Sequence, residues 1–173
     1  DEDAEVRQSA ARALALRVGT TALVLRRQEV IDALSPRLDQ EADNAAVQAE
    51  LCVVLEGLED EGSAVRRRQL VQQLLESEDV NQINAGIRAA QQMGYPQVRA
   101  HLRHPHPAVR EAALRSLAEQ GGTPEEFIAV LADPDPDVVE AGVEALGRIA
   151  GDRQRQELVA ALPGLPLKAW EGL

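Results

Sequence analysis

The sequence predicts an all-α fold, an α-solenoid of about five stacked helix pairs, and three observations carry that expectation. Aromatic residues make up 2% of a chain that is 45% hydrophobic. The interior must therefore be built from Ala, Leu, Val and Ile, which suits closely packed helices better than a β-sandwich. Self-comparison aligns five segments of one pattern, and amphipathic stretches bounded by caps and prolines lie between them. At 173 residues the chain is long enough to bury a real core, and its length fits one domain.

The first segment is "DEDAEVRQSAARAL" (1–14), followed by "EADNAAVQAELCVVL" (41–55), "SEDVNQINAGIRAA" (77–90), "RHPHPAVREAALRSL" (103–117) and "ADPDPDVVEAGVEAL" (132–146). Anchored on Val6, Val47, Gln82, Val109 and Val138, they recur at spacings of 41, 35, 27 and 29 residues, the range of solenoid repeats. Each opens on acidic or Pro-rich residues and continues as an amphipathic helix. The third, fourth and seventh positions after the anchor are mostly small (Ser9, Ala10, Ala13; Ala85, Gly86, Ala89; Ala112, Ala113, Ser116; Ala141, Gly142, Ala145), which lets helices approach closely. The fifth position (Ala11, Cys52, Ile87, Leu114, Val143) and the eighth (Leu14, Leu55, Ala90, Leu117, Leu146) widen the buried arc, since all these positions share one face at about 100° per residue. Glu50 breaks the small-residue pattern and suggests a one-residue slip in the second repeat.

The partner helices fall between. "TTALVLRRQEVIDAL" (20–34) ends at Ser35-Pro36, "SAVRRRQLVQQLL" (63–75) starts on Ser63 as cap, and "YPQVRAHLR" (95–103) is short. "TPEEFIAVLAD" (123–133) carries a capping box, with Thr123 as cap, Pro124 at the first helical position and Glu126 three residues after the cap. "DRQRQELVAAL" (152–162) opens on Asp152, with Arg155 where a box would need Glu or Gln. The repeats are expected to occupy residues 1–162. The Pro/Gly-rich tail 163–173, with Trp170 and Leu173, is expected to fold back and close the open end of the stack.

These segments resemble HEAT repeats, particularly the short bacterial kind related to those of phycobilin lyases. The family signature in the second helix is an acidic residue, Val-Arg five and six residues on, then small residues and Leu. Asp1, Val6 and Arg7 match it, as do Asp133 and Val138, with Val139 in place of the arginine; His104 replaces the acid ahead of Val109 and Arg110. The resemblance implies a ladder in which Asp and Arg tie neighbouring turns together, here broken at several rungs. It speaks to fold more than to function, because the repeat serves very many proteins.

The formal net charge of −11 argues against wrapping nucleic acid, which needs a surplus of Lys and Arg on some face. No stretch approaches the ~18 to 20 apolar residues that span a bilayer, and no basic-then-apolar signal segment is seen. The chain starts at Asp1 within a repeat, so it is expected to come from something longer and to be cytoplasmic, alone or as the soluble domain of a larger protein. The single cysteine, Cys52 in "LCVVL", reads as a core residue.

His101, His104 and His106 are the only histidines. Zinc would need a third or fourth ligand, and no Cys or Glu cluster accompanies them. His104 and His106 hold the same places as Asp133 and Asp135 in "DPDPDVV", so His-Pro-His reads as a turn in which proline fixes φ and the polar residue caps the helix. "DEDAE" and "DPDPD" lack the glycine and distal glutamate of an EF-hand loop and read as caps. No catalytic motif is present, so no catalytic, cofactor or metal site is assigned and no cofactor is expected.

The remaining place for function is the exposed face of the second helices, which in the HEAT class line the concave side. The sixth position reads Arg12, Val53, Arg88, Arg115 and Glu144. Three arginines in equivalent places form a basic stripe suited to carboxylates of an acidic helix or tail; the alternative is that each is a helix former with a solvated head. "RRRQ" (66–69) with Arg26-Arg27 forms a second basic patch, read as a solvated convex face. The expected function is a non-catalytic module that binds a protein or peptide along the concave face, without nucleic acid and without membrane insertion. The alternatives are a subunit of a phycobilin lyase-like enzyme, or a regulatory domain of a larger protein such as a membrane carrier.

Overall fold

Asp3 begins the first helix: its carboxylate accepts the Glu5 N–H at 2.8 Å and satisfies one of the donors a helix start leaves open. The same device recurs along the chain. The computed structural model describes residues 3–21 and 25–149; the expected helix at 152–162 and the tail with Trp170 and Leu173 lie outside them. The chain divides into two compact units, Asp1–Tyr95 and Pro96–Leu173.

In the first unit α1 (Ala4–Ala15) is followed by α2 (Arg27–Leu34), α3 (Arg37–Gln40), α4 (Ala45–Gly57), a 3-10 turn (Glu61–Ser63), α5 (Ala64–Leu75) and α6 (Val80–Gln92). Asn44 accepts the Val47 N–H at 3.1 Å to start α4. Asp79 accepts the Asn81 and Gln82 N–H groups at 2.8 and 3.0 Å to start α6. The repeat helices α1, α4 and α6 stack in that order, and α5 covers α6 and α4. Val47, Cys52 and Leu55 on α4, Leu70 and Leu74 on α5, and Ile83 and Ile87 on α6 are buried between them.

Three expectations change here. The helix expected over 20–34 is broken at Arg26, which lies outside helical geometry at φ −113° and ψ 19°; Thr21 and Leu25 before the break are helical, and a second helix runs over Arg27–Leu34. Leu25 just ahead of the break is 80% exposed, so little burial holds the two pieces in one continuous helix. Ser63 does not cap α5 with its side chain. Asp60 accepts the Gly62 N–H at 3.1 Å and opens the 3-10 turn that leads into α5. No slip occurs in α4: Val47 and Cys52 are buried in register with the other repeats, and Glu50, only 8% exposed, fills a small-residue position.

In the second unit a 3-10 helix (Pro96–Arg103) leads to α7 (Pro107–Gln120), α8 (Pro124–Val130) and α9 (Pro136–Ile149). The expected capping box is present at α8, where the Thr123 N–H donates to Glu126 Oε2 at 2.8 Å. Helix α7 packs on the 3-10 helix and on α9, and α9 packs on α8. Phe127, Leu114, Leu117, Leu146 and Val143 form the core. Gly121 ends α7 at φ +84°, the left-handed conformation glycine adopts without strain.

The small positions matter unequally. A Cβ on Gly86 would lie 2.9 Å from Leu74 Cβ and 3.0 Å from the Leu75 backbone nitrogen, whereas one on Gly142 would meet Leu131 Cδ2 at 3.5 Å. We expect Gly86→Ala to destabilise the first unit by about 1–3 kcal/mol through overpacking. Gly142→Ala should be neutral, or stabilising by up to about 1 kcal/mol from helix propensity. Urea denaturation of the two variants measures the contrast.

Candidate interaction surface

Arginines on the repeat helices do two kinds of work, and the first is to join repeats. Arg110 on α7 donates to both oxygens of Asp133, each at 2.7 Å, and to the His104 and Pro105 carbonyls at 2.8 and 3.0 Å. The Arg110 hydrogen bonds, against the cost of burial, hold the Asp133 carboxyl below its usual range. In the first unit Arg7 donates from Nε to Glu41 at 2.8 Å. Arg110–Asp133 is a rung of the expected ladder, and Arg7–Glu41 makes a similar link with a glutamate outside the signature position.

The turn ahead of α7 shows what the histidines do. His104 Nδ1 accepts the His106 N–H at 3.1 Å, and His106 Nδ1 accepts the Ala108 N–H at 3.3 Å. Ahead of α9, Asp133 Oδ1 accepts the Asp135 N–H at 2.9 Å and Asp135 Oδ1 accepts the Asp137 N–H at 3.0 Å. The two turns are the same structure built from imidazoles in one case and carboxylates in the other. Among the described residues no group of three or more His, Cys, Asp or Glu side chains could hold a metal ion. No helix among them is long and apolar enough to cross a membrane.

In the second basic patch Arg26, Arg27 and Arg68 are exposed as expected, but Arg67 is not. Arg67 is 2% exposed, donating to Glu56 Oε2 at 2.8 Å, to the Asp60 carbonyl and to Ser63 Oγ. Ser35 and Ser63 both donate to the Asp60 carboxylate. Burial raises the Asp60 pKa, but these hydroxyls, the Gly62 N–H and the Arg67 charge outweigh it and hold the carboxyl below its usual range. Its neighbours in the patch are also neutralised: Arg66 pairs with Asp39 at 2.6 Å and Arg27 with Glu59 at 3.3 Å. Sequence reasoning missed the buried network because a run of arginines reads as surface; the signal available was Arg67 falling four residues after Ser63, one helical turn on. Cys52 is fully buried, and burial, against the charges of Arg67 and Arg66, pushes its thiol up to about 12, so it is inert as a nucleophile.

The three stripe arginines are all exposed. Arg12 on α1 and Arg88 on α6 flank half-buried Val53 on α4 at the same register position of three stacked helices, and among the described residues neither has an ion pair. Arg115, in the second unit, pairs within its own helix with Glu111 at 2.8 Å. Adjacent packed helices lie about 8–10 Å apart, so Arg12 and Arg88 are presented about 16–20 Å from each other.

Helix pairs stacked through small residues, started by Asp or His caps and joined by arginine rungs, define a helical repeat architecture. The family model for HEAT repeats matches residues 96–164, most of the second unit, and that part of the chain is built of HEAT repeats. No curated protein matches it.

Proposed function

We propose that this chain is a non-catalytic interaction module that binds acidic protein segments, through Arg12 and Arg88 in the first unit and through Arg115 in the second. The observation that carries the reading is the contrast among its arginines. Arg7, Arg66, Arg67 and Arg110 are spent on ion pairs between segments, while Arg12 and Arg88 stay exposed at equivalent positions on a strongly acidic chain. Stacked repeats offer a broad, regular surface of this kind, and guanidinium groups suit bidentate carboxylate contacts. Arg115, lightly held by an exposed intrahelical pair worth less than about 1 kcal/mol, exchanges Glu111 for a partner carboxylate at little cost.

A fluorescent amphipathic helical peptide with glutamates on one face tests this by anisotropy. The wild-type protein is expected to bind it with an affinity that falls as salt rises, and an Arg12→Glu/Arg88→Glu variant to lose that binding. Equal binding by both proteins contradicts the proposal.

A further inference from the structure

We propose that the His104–His106 turn is a pH-sensitive cap that loosens the start of α7 on mild acidification, while its carboxylate counterpart at Asp133–Asp135 holds. Both imidazoles act through Nδ1 as acceptors of backbone N–H groups. That role requires the neutral ring with its proton on Nε2. A second proton turns each Nδ1 from acceptor to donor, facing another donor, and places positive charge at a helix N-terminus, where the macrodipole opposes it. Asp135 does the same work at α9 with a carboxylate, which when ionised is an acceptor only.

The surroundings add to the effect. From the 3-10 helix, the His101 ring lies 6.3 Å from that of His104, centroid to centroid, and Arg103 directly precedes the turn. From α7 itself, Arg110 donates to the His104 and Pro105 carbonyls. From the turn before α9, Asp133 binds Arg110, and Asp135 lies near enough to act on its charge. Asp133 is thus already engaged by Arg110, and new charge at His104 arises beside the Arg110 guanidinium that holds its carbonyl. Burial, and then His104, hold the His101 imidazole below its ordinary value, so it resists charging in the folded state. The linkage has one sign. For His101, held below its ordinary value in the fold, the unfolded chain takes up protons first, near about 6.5, so stability of the second unit falls as pH drops through that value. Because Arg110 links this turn to the Asp133 rung, the same change loosens the join between α7 and α9.

The test compares the wild-type chain with a His104→Asp/His106→Asp variant, which copies the turn before α9, by amide hydrogen exchange and thermal melting at pH 7.5 and 5.5. After correction for intrinsic exchange, the wild-type Ala108 amide is expected to lose at least about tenfold in protection at pH 5.5, and its second unit to melt at least about 4 °C lower, the shift expected for one lost cap. The variant should show neither change. An independent variant, Asp135→His, should confer the same pH dependence on the start of α9, and NMR of the wild-type imidazoles at pH 7.5 should show Nδ1 unprotonated in His104 and His106. An equal loss in the wild type and the aspartate variant, or protonated Nδ1 atoms at pH 7.5, overturns the proposal.

Discussion

Arg67→Ala is expected to destabilise the first unit by about 3–5 kcal/mol, the usual cost of removing one partner from a buried charged network. The substitution leaves Asp60, 8% exposed, without its cation, and strands the Ser63 hydroxyl and the Asp60 carbonyl that Arg67 holds. These groups also shape the turn into α5, so the loss reaches the packing of α5 on α6. Arg66→Ala, one residue away, is the control. Its pair with Asp39 joins side chains that are 42% and 67% exposed, and its removal should cost no more than about 1 kcal/mol. Urea denaturation of the two variants, with amide exchange in α4–α6 as the local readout, checks a difference of several-fold in effect between adjacent arginines.

Phe127→Ala should destabilise the second unit by a similar amount, about 3–5 kcal/mol. Phe127 is fully buried, the largest side chain in a core otherwise made of Leu, Val and Ala. It lies against the turn that joins α7 to α8: a Cβ on Gly122 would lie 2.7 Å from its Cζ. The ring therefore sits directly on the backbone that follows the left-handed Gly121, and its removal opens a cavity where α7, α8 and α9 meet. Amide exchange across α7–α9 is expected to speed up as a block, while α4–α6 is the region to compare.

The outline of the fold was legible wherever short-range chemistry decides it. The equivalence of His104-Pro-His106 with Asp133-Pro-Asp135, the capping box from Thr123 to Glu126 and the buried anchors Val47, Val109 and Val138 all follow from residue type and spacing, because caps and periodic faces are local. What escaped depends on contacts distant in sequence. Nothing near Arg67 announces that Glu56 and Asp60 will fold over it, nor does Leu25 reveal that no neighbour covers it. Val6 makes the same point: at the anchor position it is 47% exposed, whereas Val109 is fully buried, so equal residues at equal register positions differ through what packs on them. The candidate surface was half legible. Arg12, Arg88 and Arg115 could be lined up from the repeats, but only the structure separates arginines consumed by Glu41 and Asp133 from those left exposed.

The central claim is that the exposed arginines at one register position bind an acidic partner. Affinity capture from a lysate of the source organism tests it most directly, with the wild-type chain and an Arg12→Glu/Arg88→Glu/Arg115→Glu variant compared after circular dichroism shows equal helix content. The account predicts a protein with an acidic segment that is retained by the wild type, lost by the variant and released by moderate salt. A partner retained equally by both contradicts it.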